Sequence, residues 1–169
     1  TKEGERLICV NANTGELIWE LNRNVFLSDA PAERVGWSSV IGDPSTGNVY
    51  WLGLGCEFSC VNGETGEELW SRSLSEEYGM LSTYGGRTNF PLVFEDLVIV
   101  SGVMTQWGDE AVPAHRFVGF DKTTGAAVWF SRTDIKPKDT TYSTPFITNI
   151  DGQAAMVFGS GDGKIHAMQ

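Results

Sequence analysis

Basic residues are scarce in this chain: 12 Lys and Arg stand against 22 Asp and Glu in 169 residues, a formal charge of −10, and the basic ones form no cluster. Nucleic acid and anionic membrane surfaces both demand a basic footprint, so neither is an expected partner. Long apolar runs are also missing. The longest are stretches such as Leu97 to Val100, against the roughly 18 to 20 residues that cross a bilayer, so the chain is not expected to span a membrane. Sustained helical periodicity with flanking caps is absent as well, which points to an all-β chain. The opening residues, Thr1 to Arg6, carry neither an initiating Met nor the apolar stretch of a secretion signal, the pattern of a mature form or an internal piece.

Cysteine is sparse. Three cysteines cannot all pair with one another, and Cys56 and Cys60 would stand about 13 Å apart on an extended strand, too far for a bridge without a sharp turn. A disulfide framework is not expected, and cysteine usage leaves the redox compartment open. Neither a Ser/His/Asp arrangement nor a metal-ligand spacing is visible, so the sequence nominates no catalytic and no metal-binding residue.

What the chain does have is an internal repeat. Ten residues recur three times: Val10–Trp19 (VNANTGELIW), Val61–Trp70 (VNGETGEELW) and Phe120–Trp129 (FDKTTGAAVW). Gly15, Gly66 and Gly125 lie 51 and 59 residues apart, and Trp19, Trp70 and Trp129 keep the same spacing. Such a period accommodates about four short strands with their turns. Each copy reads as a hairpin in which an Asn or Asp bonds its own backbone to start a turn, glycine supplies positive φ, and a second strand ends in Trp.

Upstream of each hairpin two more strands align. Ser39, Pro91 and Pro145 begin the first, A; Val49–Gly53, Val98–Gly102 and Ala155–Gly159 form the second, B; the hairpin supplies C and D. Proline removes a ladder hydrogen bond, which places strand A at a sheet edge. The C strands align Cys9 and Cys60 with Gly119 and Ala167, a column of small residues at tightly packed sites. His166, beside it, reads as a packed or half-exposed sheet histidine.

The pattern Val-Asn-x-x-Thr-Gly-x-x-x-Trp resembles the repeat of the quinoprotein dehydrogenase propellers, with their tryptophan-docking motif. The same repeat occurs in non-enzymatic relatives, including the lipoprotein of the outer-membrane β-barrel assembly machinery. The resemblance covers nearly the whole chain. It implies radially stacked four-stranded blades in which Trp19, Trp70 and Trp129 pack between blades near the Thr-Gly turn of a neighbour, with Gly15, Gly66 and Gly125 in those turns. It also implies an extracytoplasmic, periplasmic location. The adjacent cysteine pair that stacks on the quinone in the resembled dehydrogenases is absent here.

On this reading residues 1–22 hold strands C and D of one blade, 37–73 and 88–132 are full blades, and 143–169 hold strands A to C of a fourth. That is thirteen strands, about three blades of a ring that closes with seven or eight in the relatives. The expectation is a β-propeller fragment of four-stranded antiparallel blades, completed by the remaining blades of the same protein or by other copies of the chain.

Loop lengths select a face. The Thr-Gly turns are short, whereas the B to C connection of the third unit, read as Val103 to His115, is far longer than its counterparts at Leu54 to Cys56 and Ser160 to Gly163. It holds Trp107 and His115, with Arg116 at its foot. The D to A connections bring Arg87 and Asn89 to the same face as a candidate funnel lining. These five are the candidate binding residues, and a protein or peptide is the expected partner. The favoured function is a non-catalytic scaffold with no cofactor. The alternative is part of a dehydrogenase using pyrroloquinoline quinone (PQQ) with calcium, whose catalytic residues lie mostly outside the chain.

Overall fold

A computed structural model describes residues 4–25, 39–81, 89–137 and 141–169. The described residues form four antiparallel sheets, each meandering in chain order. The first pairs β1 (Gly4–Val10) with β2 (Leu17–Asn24); the second runs β3 (Ser39–Gly42), β4 (Asn48–Leu52), β5 (Glu57–Asn62), β6 (Glu68–Ser73). A short helix α1 (Leu74–Tyr78) leads to the third sheet: β7 (Met80–Leu81), β8 (Leu92–Phe94), β9 (Leu97–Met104), β10 (Ala114–Asp121) and β11 (Ala127–Ile135). The fourth sheet is β12 (Phe146–Ile150), β13 (Gln153–Gly159) and β14 (Ile165–Met168).

The three hairpins owe their shape to local chemistry. In each, an Asn11, Asn62 or Asp121 side chain accepts hydrogen bonds from two backbone N–H groups of its own turn, for instance Asn62 Oδ1 from Glu64 and Thr65, both at 2.9 Å. Gly15, Gly66 and Gly125 then take φ of +74°, +77° and +70°, a region that costs other residues about 1–2 kcal/mol. Beyond the turn each hairpin carries the same bulge. Cys9 faces Trp19 while Val10 faces Leu17, and Cys60, Val61, Gly119 and Phe120 repeat the pattern. The extra residues, Ile18, Leu69 and Val128, are left exposed, and the indole beside each is re-aimed across the small residue of the facing strand. At Gly119 a Cβ would come within 2.5 Å of the Trp129 ring, which accounts for the small-residue column.

The core lies between successive sheets. Tyr50, Leu52 and Phe58 of the second sheet meet Val98, Val100 and Phe120 of the third. On the other face of the third sheet Ile99 and Phe117 meet Met156 and Phe158 of the fourth. Strand β9 is therefore buried on both faces, which is why it reads as a continuous apolar run rather than an alternating one. Indoles bridge the sheets on the outer side. Trp19 Nε1 donates to the Gly63 carbonyl at 3.0 Å with its ring 2.7 Å from where a Gly66 Cβ would sit. Trp70 does the same one sheet on, donating to Lys122 at 3.2 Å against Gly125. Trp129 lies in an apolar groove with Ile99, Met156 and Met168.

Three features depart from the sequence reading. The described residues contain fourteen strands, because β7 pairs with Val103 and Met104 of β9 while β8 pairs with Leu97 to Ile99 of the same strand. Strand A of the third sheet is thus two collinear pieces, and that sheet starts at Met80, ahead of residue 88. Pro91 and Pro145 stand immediately before β8 and β12 rather than inside them. Helix α1 was not anticipated; it spans too few residues to display a period, although Ser73 before it and Gly79 after it, at φ +60° with its N–H on the Ser75 carbonyl at 3.0 Å, are ordinary end signals.

Candidate functional site

The long third-sheet connection is shorter than the sequence suggested. Ala114 pairs with Met104 and His115 with Val103, so the strands extend and the loop proper is residues 105–113. His115 and Arg116 consequently lie in β10, buried, and not on an exposed loop. His115 Nδ1 is 3.0 Å from the Ser160 hydroxyl of the fourth sheet, and its ring packs on Phe117 and Phe158. Arg116 ties the loop base, its Nε donating to the Met104 carbonyl at 3.3 Å and Nη2 to Val112 at 3.1 Å. Asn89 is buried too. Its amide donates to Ser101 Oγ at 2.9 Å, in the gap between β7 and β8, and to the Thr141 carbonyl at 2.7 Å. It ties β9 to the segment that precedes β12. Arg87 lies outside the described residues.

Trp107 is different. It is 66% exposed, yet the backbone beside it is fixed: Thr105 and Gln106 donate to the carbonyls of Gly79 and Tyr78 at 3.0 and 2.9 Å. The loop is therefore anchored to the end of α1, and the indole stands out from a rigid support.

Trp107 borders a cleft of about 870 Å³ that sequence reasoning did not find. Its walls come from the ends of β1 and β2, the turn before β5, helix α1, β7 and the Trp107 loop. Glu5 is one of its lining residues. This residue is 9% exposed; Oε2 accepts the Leu54 N–H at 2.8 Å, and a side chain on Gly53 would collide with the carboxylate. Burial pushes the Glu5 carboxyl above its ordinary range, against the lowering effect of the Leu54 hydrogen bond and of the Arg23 charge. Arg23 bonds Glu68 and Ser59 and sits 4.8 Å above the Trp51 ring. Glu57 and Glu76 complete the charged lining.

Cys56, beside Glu5, has φ +61° and a thiol that burial raises to about 12; burial likewise raises Cys60 to about 11. Both stay protonated at neutral pH, which deprives them of nucleophilic character. Among the described residues no three His, Cys, Asp or Glu side chains converge so as to hold a metal ion.

Four sheets packed face to face, the first three joined in turn by the Trp19 and Trp70 indoles, are blades of a β-propeller, and the Asx-Thr-Gly…Trp hairpin marks them as the PQQ-like repeat type. The chain belongs to the family described as outer membrane protein assembly factor BamB, whose model matches residues 3–169. No curated protein matches the chain in sequence. Among solved structures it is similar to BamB from Moraxella catarrhalis (17% identity, TM-score 0.58), covering 98% of this chain and 41% of that one. A europium-containing methanol dehydrogenase (13%, TM-score 0.61) is covered over 92% and 31% of the two chains. The quinohemoprotein alcohol dehydrogenase of Comamonas testosteroni (16%, TM-score 0.58) is covered over 94% and 26%. The chain thus spans well under half the length of each of these proteins, and the likeness extends to their fold.

Proposed function

We propose that the chain is a non-catalytic propeller scaffold that binds a protein or peptide through its loop-rich face, acting outside the cytoplasm as other family members do. The observation that carries this reading is Trp107, a large exposed indole on a loop pinned by two backbone hydrogen bonds beside a cleft. A rigid aromatic loses little conformational freedom when covered, which is why such residues anchor interfaces. The buried placement of His115, Arg116 and Asn89 suits a supporting role: they hold the loop and the sheets that present Trp107. We assign to Trp19 and Trp70 the docking of one blade on the next, and to further blades or copies of the chain the covering of the outer sheets.

A photo-crosslinking amino acid placed at position 107 should give discrete protein adducts in cells, whereas one at position 64, in a Thr-Gly turn, should not. Equal adducts from both positions, or none from 107, would overturn the assignment of this face.

A further inference from the structure

We propose that Asn62 deamidates spontaneously whenever its turn opens, and that the isoaspartyl product unfastens the first sheet from the second.

Asn62–Gly63 is the one Asn-Gly pair in the chain; the first hairpin has Asn11–Ala12 at the same place and the third has Asp121–Lys122. The reaction needs no enzyme. The Gly63 nitrogen bonds to Asn62 Cγ, the Cγ–Nδ2 bond breaks, and ammonia leaves with the proton that the nitrogen gives up. Water then opens the cyclic imide. Attack at Cγ releases the ring as aspartate, whereas attack at the main-chain carbonyl carbon of Asn62 routes the backbone through Cγ as isoaspartate. A residue without Cβ shields its own nitrogen least, which is why an Asn followed by Gly is the one exposed to this chemistry.

A second observation explains why glycine stands there. A Cβ on Gly63 would lie 2.3 Å from the Gly47 carbonyl oxygen, so the turn between β3 and β4 leaves no room for the Ala or Lys of the other two hairpins. The residue that lets this hairpin pack is the residue that leaves its neighbour open to attack.

The folded turn restrains the reaction. The Gly63 N–H donates to that same Gly47 carbonyl at 3.1 Å, and Asn62 Oδ1 accepts from Glu64 and Thr65, both at 2.9 Å. Ring closure removes the first bond and turns the side chain away from the other two, so it proceeds from an opened turn.

The two products leave different structures behind. Aspartate keeps the cap, as Asp121 does in the third hairpin by accepting from Thr123 and Thr124 at 3.0 and 2.7 Å. Isoaspartate inserts a methylene into the main chain just before Gly63, whose carbonyl receives Trp19 Nε1 at 3.0 Å, and displaces Gly66, on which that ring lies. The indole then loses both its acceptor and its seat.

The test is incubation of the protein in mildly alkaline water enriched in heavy oxygen, both folded and in guanidinium chloride, followed by peptide mapping. Heavy oxygen should enter at Asn62 ahead of every other Asn, and about tenfold faster or more in the denaturant than in the folded protein. The isoaspartyl form, separated chromatographically from the aged folded protein, should unfold at lower denaturant than the variant Asn62→Asp, and that variant should match the parent. Labelling of another Asn first, equal rates with and without denaturant, or an isoaspartyl form as stable as Asn62→Asp would each overturn the proposal.

Discussion

Lys122 makes several joints at once. Its carbonyl receives both the Trp70 indole and the Tyr50 hydroxyl, at 3.2 and 3.0 Å, and its ammonium reaches 3.0 Å from Asp43 Oδ2. Asp43 is buried and also accepts from Ser45 and Thr46. The Ser45 hydroxyl, the Ser45 backbone N–H, Lys122 and Thr46 together hold its carboxyl well below the usual carboxylate range. A depressed folded-state value means stability that is present above the unfolded value of about 3.9 and is lost as pH falls through the folded one. Asp43→Asn should accordingly cost about 2 kcal/mol at pH 7, since it takes the charged acceptor from the half-buried Lys122 ammonium, which keeps only the Ser45 hydroxyl. In denaturant titrations the gap between parent and variant should close as pH drops below about 4. A gap unchanged down to pH 2 would remove the pair from the account. At this scale the sequence was least informative. His115 and Asn89 carry the residue types of a binding surface, but their partners Ser160 and Thr141 lie 45 and 52 residues away, and nothing local announces such a pairing.

Hairpins were the legible elements, because every determinant of the Asx-Thr-Gly turn sits within ten consecutive residues. Gly15 and Gly66 separate the turn from what packs on it. Both have positive φ, yet a Cβ on Gly15 meets nothing within 4 Å whereas one on Gly66 would lie 2.7 Å from the Trp19 ring. Gly15→Ala should then cost about 1 kcal/mol, the backbone strain alone. Gly66→Ala should cost at least about 2 kcal/mol more, the usual range for overpacking. Thermal or denaturant unfolding measures the difference, and equal losses would mean the indole does not need that glycine. Helix α1 and the divided inner strand escaped prediction for the opposite reason. Five and two residues carry no period, and the strand that β7 pairs with among the described residues, β9, lies more than twenty residues downstream. The cleft is harder still to read, since Glu5, Glu57 and Trp107 meet only when three sheets have stacked.

For the molecule as a whole, the repeat announced the architecture, and the same repeat explains what stays uncovered. Ile8 in the first sheet is 52% exposed and Ile165 in the fourth 82%. Apolar faces of this kind associate or attract apolar dyes. The chain by itself should bind such a dye and self-associate at micromolar concentrations, and Ile165→Lys should reduce both. Light scattering from a dye-silent, monodisperse monomer would contradict the expectation.

The indole joints also point one way along the polypeptide. Trp19 reaches forward to residue 63 and Trp70 to residue 122, so each fastening waits for about fifty further residues to leave the ribosome. At roughly 5–20 residues per second that is a delay of seconds. During it the newest sheet has its hairpin but not its anchor, and the molecule is stitched from front to back in the order of its synthesis.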